Sequence, residues 1–88
     1  MRLVIDNKAQ EDLKFWYDSG QKQRKKIEEL IKDIMEHPTW GIGKPEQLKH
    51  DLTGRWSRRI DRKNRIVYRV SDDNTTVFIL SLRGHYEK

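Results

Sequence analysis

The sequence contains no cysteine. Disulfides, thiolate zinc sites and cysteine nucleophiles are thereby excluded, and the composition fits a reducing, cytoplasmic setting. Apolar residues are scarce, at 34 % of the chain, and no run of them approaches the ~18 needed for a membrane span. The N-terminal run Leu3-Val4-Ile5 ends at Asp6, too short for a secretory signal. No membrane partner is expected. Only 2 prolines and 5 glycines punctuate 88 residues, and there are no repeats, linkers or low-complexity segments. Residues 1–88 are therefore read as a single domain with one small core.

Histidine is also sparse. His37, His50 and His85 have no short ligand spacing between any two of them, so no metal site is expected. Gly41-Ile42-Gly43-Lys44 lacks the Gly-Lys-Ser/Thr ending of a phosphate-cradling loop and runs into Pro45. No cofactor is expected.

What the chain has in abundance is charge. Charged residues make up 38 %, with 19 Lys and Arg against 14 Asp and Glu. The excess is localised: Lys44 to Arg69 carries +6, and the rest of the chain −1. That stretch is rich in Arg, whose planar fork of donors suits phosphate better than the point charge of Lys. Trp56 and Tyr68 lie within it. Such a field is the footprint of a phosphate-rich polymer partner. Trp56 itself reads as a core residue rather than a stacking platform.

Mean hydropathy, −1.02, approaches that of disordered chains. The apolar residues are nonetheless patterned. Leu3-Val4-Ile5 reads as a buried strand. Asp6 or Asn7 can cap a helix with a side-chain oxygen, and Ala9, Leu13, Trp16 and Tyr17 recur at helical spacing from Asn7 to about Asp18. Ser19-Gly20 breaks that helix. Ile27, Leu30, Ile31 and Ile34 form one stripe of a second, which must end by His37 because Pro38 disfavours helical geometry before it. Thr39 to Leu48 has no periodicity and reads as a loop. Leu52–Asp61, Arg65–Val70 and Thr75–Leu82 read as strands joined by polar turns, an antiparallel meander. The expected fold class is α+β: an antiparallel two-helix hairpin on a small, mainly antiparallel sheet. Alternation puts Ile66, Tyr68 and Val70 on one face of their strand and Arg65, Val67 and Arg69 on the other. Arg58 and Arg59 must point to opposite faces, and which one joins Arg65 is open.

Metal-free cleavage of RNA needs a base for the 2′-hydroxyl proton, an acid for the leaving 5′-oxygen, and cations for the phosphorane. Glu46, an acid inside the basic segment, and His85 have the chemistry for the first two. Arg59 and Arg65, flanking a turn, have it for the third, and Tyr86 is suited to stacking on a splayed base. Each also has a plainer role: Glu46 pairing with Lys49, Arg65 and Arg69 as strand cations that discourage edge pairing, and His85 and Tyr86 as tail residues.

At these residues the chain resembles a known family. The stretch Gly43-Lys44-Pro45-Glu46-Gln47-Leu48-Lys49-His50-Asp51-Leu52-Thr53-Gly54-Arg55-Trp56-Ser57-Arg58-Arg59-Ile60 resembles the signature of the YoeB/Txe toxins, within the RelE/ParE superfamily of bacterial toxin–antitoxin systems. Arg65-Ile66-Val67-Tyr68-Arg69-Val70, the terminal His85-Tyr86 and the helical segment from Lys25 to Ile34 are similar as well. The resemblance implies a RelE-like microbial RNase fold and a ribosome-dependent endoribonuclease that cuts mRNA in the A site, without a metal, to a 2′,3′-cyclic phosphate. It implies Glu46 as general base, His85 as general acid, Arg65 on the phosphorane, and Tyr86 as a stacking residue. Arg59 and Lys49 would assist on phosphate, with Lys44 and Arg69 in the same binding field. A YefM/Axe-like antitoxin, the ribosome with its mRNA, and a homodimer are the implied partners. The chain departs from the family in Gly84, where a larger residue is common, and in Glu87-Lys88 after the Tyr. Two other classes remain open: a ParE-like inhibitor of DNA gyrase and a non-catalytic nucleic-acid-binding module.

Overall fold

A computed structural model describes residues 1–49 and 54–84. The elements are β1 (Arg2–Ile5), α1 (Asn7–Ser19), α2 (Gln21–Glu36), β2 (Glu46–Gln47), β3 (Arg55–Arg59), β4 (Arg65–Val70) and β5 (Thr76–Ser81). One five-stranded sheet runs in the order β1-β5-β4-β3-β2. The pairs β2·β3, β3·β4 and β4·β5 are antiparallel, whereas β1 runs parallel to β5. The sheet is thus mixed and mainly antiparallel, and the two helices carry the chain from β1 at one edge to β2 at the other.

A core of Ala9 and Trp16 from α1, Ile27, Leu30 and Ile34 from α2, and Ile66, Tyr68, Val77 and Ile79 from the sheet holds the layers together. Each large aliphatic side chain fully buried there stabilises the fold by roughly 1.5–3 kcal/mol. Gly20 alone connects the helices, and a Cβ there would stand 2.4 Å from the Trp16 ring, which favours glycine at this position. The stripe expected on α2 is the buried one, and the helix ends at Glu36, before His37-Pro38.

Several expectations need correction. Leu3-Val4-Ile5 forms an edge strand with Leu3 exposed, not a buried one. Asp6 occupies the N-cap of α1, but its side chain makes no capping bond; its carbonyl accepts from the Gln10 N–H at 2.8 Å. Tyr17 is 52 % exposed, and the polar Asp12 takes a buried place on that face instead. The supposed loop from Thr39 to Leu48 contains β2, whose two residues pair with β3. Periodicity cannot reveal a strand of two residues. The strand expected from Leu52 is observed from Arg55, and Leu52 lies outside the described residues. The register slips by one between Val67 and Tyr68, leaving Leu80 of β5 unmatched.

Candidate active site on the open sheet face

Pairing register decides which side chains share the face turned away from the helices. Trp56, Ile66, Tyr68 and Val70 pack towards the core. Their neighbours Arg55, Ser57 and Arg59 on β3, and Arg65, Val67 and Arg69 on β4, therefore face the other way. Glu46 pairs with Ser57 and joins them.

This face breaks a rule of sheet design. Arg59 stands directly opposite Arg65, and Arg55 directly opposite Arg69. Like charges facing each other across a strand pair destabilise a sheet by up to about 1 kcal/mol each. Two such pairs on one face point to a function that needs concentrated cations.

Around Arg65 the parts converge. Its Nη1 donates to Ser57 Oγ at 3.2 Å and lies 3.7 Å from Glu46 Oε2. The Arg65 side chain is only 13 % exposed while that of Glu46 is 46 % exposed. The cation is thus held in place, while the carboxylate is nearly half exposed. A recess of about 180 Å³ lined by Arg59, Asp61, Arg62 and Arg65 adjoins them.

The turn after β3 and the segment after β5 are tied to the same place. The Arg65 N–H donates to the Gly84 carbonyl at 2.9 Å, and the Gly84 N–H donates to Asn64 Oδ1 at 2.9 Å. Asn64 is braced in turn by Asp61, whose Oδ1 accepts from the Asn64 backbone N–H at 2.7 Å. Desolvation works to raise the Asp61 pKa, but hydrogen bonds from the Lys63 amide, Gln23 and Asn64 hold it below the ordinary carboxylate value. Further back, α1 grips Leu82 by both main-chain groups: Asp12 Oδ2 accepts its N–H at 2.9 Å, and Trp16 Nε1 donates to its carbonyl at 2.8 Å. The chain therefore reaches Gly84 beside Arg65 along a fixed path. Gly84 has φ +101°, a conformation glycine adopts without strain.

Arg58 faces the other layer. Its guanidinium is fully buried, pairs with Asp33, and donates to Tyr68 Oη and to the carbonyls of His37, Trp40 and Ile42. Desolvation pushes the Asp33 pKa up, but the hydrogen bonds from Arg58, the Ile42 amide and His37 outweigh it, so the net shift is downwards. Burial raises the pKa of Tyr68. Tyr68 is fully buried and donates to the Pro38 carbonyl at 2.6 Å, so it is a core residue and not a platform for bases. This network fixes the segment from His37 to Gly43, whose carbonyl accepts the Arg59 N–H at 2.7 Å and so leads the chain into β2.

Of the residues singled out in the sequence, the structure brings together Glu46, Arg59 and Arg65. Lys44 precedes β2 with φ +54° and is exposed, and Lys49 follows β2, also exposed. Arg69 shares the face but lies four residues along β4 from Arg65, roughly 13 Å at strand spacing, with its guanidinium 4.3 Å over the Phe78 ring. Trp56 packs against the core, as expected. His85, Tyr86 and His50 lie outside the described residues. Asp33, Glu36 and His37 have ligand-type atoms within 4.8 Å of one another, but Asp33 is already engaged by Arg58, Ile42 and His37. Sequence reasoning missed Ser57, Asn64 and Asp12. Ser57 was readable, since alternation sets it between Arg55 and Arg59; Asn64 and Asp12 act across 20 and 70 residues of sequence, which no local pattern shows.

Two helices on a five-stranded sheet of this order are the architecture seen in solved structures of bacterial YoeB- and RelE-type toxins. The model of the YoeB-like toxin of bacterial type II toxin–antitoxin systems matches residues 5–86. The chain belongs to that family. It is 44 % identical to Toxin YoeB of Escherichia coli K12, covering 98 % of this chain and all of the relative. A YoeB/ParE toxin structure from Agrobacterium tumefaciens superposes with a TM-score of 0.94 at 40 % identity, covering 98 % of this chain and 100 % of that one. Two Staphylococcus aureus structures, a YoeB dimer and a YoeB–YefM complex, match with TM-scores of 0.88 and 0.85. Both are 41 % identical and cover 98 % of each chain.

Proposed function

We propose that this toxin is a ribosome-dependent, metal-independent endoribonuclease that cleaves mRNA in the A site. The observation that carries the reading is Glu46 beside Arg65 on an otherwise cationic face, with Arg65 fixed through Ser57. A carboxylate there is poised to take the 2′-hydroxyl proton. The resulting oxyanion attacks the adjacent phosphorus, and the charge that builds on the phosphorane falls beside the Arg65 guanidinium, with Arg59 opposite. Expulsion of the 5′-oxygen needs a proton, for which His85 is assigned as general acid, and the product is a 2′,3′-cyclic phosphate. Tyr86 is assigned to stacking, and Lys44, Lys49 and Arg69 to phosphates along the strand. The path of the chain to Gly84, beside Arg65, supports a role for the residues that follow it.

The YoeB–YefM complexes and YoeB dimer among its structural relatives support a YefM-like antitoxin and self-association as partners here too. Ribosomes programmed with mRNA carrying a 2′-O-methyl group at the cut position provide the test. Unmodified message is cut there and modified message is spared. Equal cleavage of both overturns the 2′-hydroxyl mechanism.

A further inference from the structure

The Arg59–Arg65 pair is accounted for by the cleavage chemistry, but the Arg55–Arg69 pair, four residues away along both strands, is not. At strand spacing that separation is roughly 13 Å, too far to serve the same phosphate. Beside it lies a recess of about 410 Å³, lined by Asp6, Lys8, Arg55, Leu80, Ser81, Arg83 and Gly84. Its volume falls in the ~300–1,000 Å³ range of small-ligand clefts.

The two guanidinium groups in this lining are differently held. Arg83 stands over the Phe15 ring, its central carbon 3.6 Å from the centroid, a cation–π contact that orders the side chain while leaving its N–H groups to serve as donors. Arg55, half-buried, makes no ion pair or side-chain hydrogen bond among the described residues. Lys8 is neutralised by Asp12, 2.5 Å away, which leaves the two arginines as the unbalanced charge. Asp6 is the one carboxylate in the lining, and its side chain makes no capping bond to α1.

We propose that this recess is a second nucleotide subsite, in which Arg55 and Arg83 grip a phosphate of the RNA strand beside the cleaved linkage. Asp6 accepts a hydrogen bond from a base amino group of the same nucleotide. The proposal rests on the reading of RNA as substrate. A nucleotide fits this mixed lining because it offers an anion and hydrogen-bond donors a few ångströms apart, whereas an acidic peptide would meet Asp6 with like charge. The position of Gly84 in the lining, with its carbonyl on the Arg65 N–H, makes the subsite continuous with the Glu46–Arg65 site.

The test is binding of a fluorescent, fully 2′-O-methylated hexanucleotide at several salt concentrations, with wild type, Arg55→Gln, Arg83→Gln and Arg83→Lys. Arg55 and Arg83 lie off the core, and circular dichroism verifies that each variant is folded. Arg55→Gln and Arg83→Gln are each expected to weaken binding about ten-fold and to flatten the dependence of log K on log salt by about 0.7, the loss of one single-strand phosphate contact. Arg83→Lys is expected to keep the slope and lose part of the affinity, because the charge remains and the fork does not. Wild-type affinity and slope in both Gln variants overturn the subsite. Unchanged oligonucleotide binding with weakened binding of a poly-glutamate peptide also overturns it, and assigns the recess to an acidic protein segment. The methylated probe cannot be cut, so binding and cleavage are judged separately. If the Gln variants bind weakly while wild type fails to cut unmodified message on ribosomes, the subsite stands and the cleavage reading falls. If wild type cuts and the Gln variants bind as it does, the reverse holds.

Discussion

Arg58 and Arg59, adjacent in β3, point through opposite faces of the sheet. Arg58 is fully buried and bonded to Asp33, Tyr68 and three loop carbonyls, whereas Arg59 is exposed and faces Arg65. Two identical side chains therefore have different physical jobs. One replaces the backbone hydrogen bonds that an irregular segment would otherwise lack, and the other adds charge to the open face of the sheet.

The first prediction follows from that division. Arg58→Met removes the ion-pair partner of Asp33 and leaves three carbonyls without their guanidinium donor, so it is expected to cost about 3–5 kcal/mol of stability. Arg59→Met removes a like-charge contact from an exposed position and is expected to change stability by less than about 0.5 kcal/mol. Urea unfolding of both variants measures the difference, and equal midpoints would contradict the assignment of Arg58 as the interior anchor.

The acid limb of stability is set by carboxylates with depressed pKa values. Asp33 and Asp61 both lie below the ordinary 3.8 in the folded protein. As pH falls, the unfolded chain therefore binds protons first. Their contribution is full above about pH 5 and is lost as pH falls through 3.8 towards the folded values. Asp33→Asn is expected to lower stability at neutral pH and to flatten its decline between pH 5 and 3. A decline as steep as in wild type would show that Asp33 does not contribute to it.

Asn64 offers a test of how the segment after β5 is placed. Its Oδ1 is the acceptor for the Gly84 N–H, and Gly84 is next to His85 in sequence. Asn64→Ala is expected to lower the single-turnover cleavage rate on ribosomes by 10- to 100-fold, the order of loss caused by a misplacement of about 1 Å. Ribosome affinity should change little, because no cation of the open face is removed. A variant that cuts at the wild-type rate would separate the position of Gly84 from catalysis.

The legible and illegible parts of this chain divide by range. The α2 stripe of Ile27, Leu30 and Ile34 and the alternation of β4 depend on local periodicity, and both are where the sequence put them. The family motif brought Glu46 and Arg65 forward, and the register of β2 and β4 on β3 sets them 3.7 Å apart. The choice between Arg58 and Arg59 was beyond local reading, because it depends on a partner, Asp33, 25 residues away. The same is true of Asp12, an acid on α1 that is buried and holds Leu82, 70 residues away. Tyr68 lies among arginines in the sequence, but strand alternation sets it with Ile66 and Val70, and all three pack at the core.

Ser57 supplies the last prediction. It is 1 % exposed, lies opposite Val67 in the sheet, and accepts a hydrogen bond from Arg65 Nη1. Without that acceptor the guanidinium keeps its charge but loses one of the contacts that orient it beside Glu46. Ser57→Ala is therefore expected to cost about 1 kcal/mol of stability and roughly ten-fold in single-turnover rate, with no change in the salt dependence of RNA binding. Ser57→Thr keeps the hydroxyl and should recover most of the rate. The pair of variants separates positioning from packing: if Ala and Thr lose the same rate, the effect comes from a disturbed sheet, and if only Ala does, it comes from an unsteered Arg65.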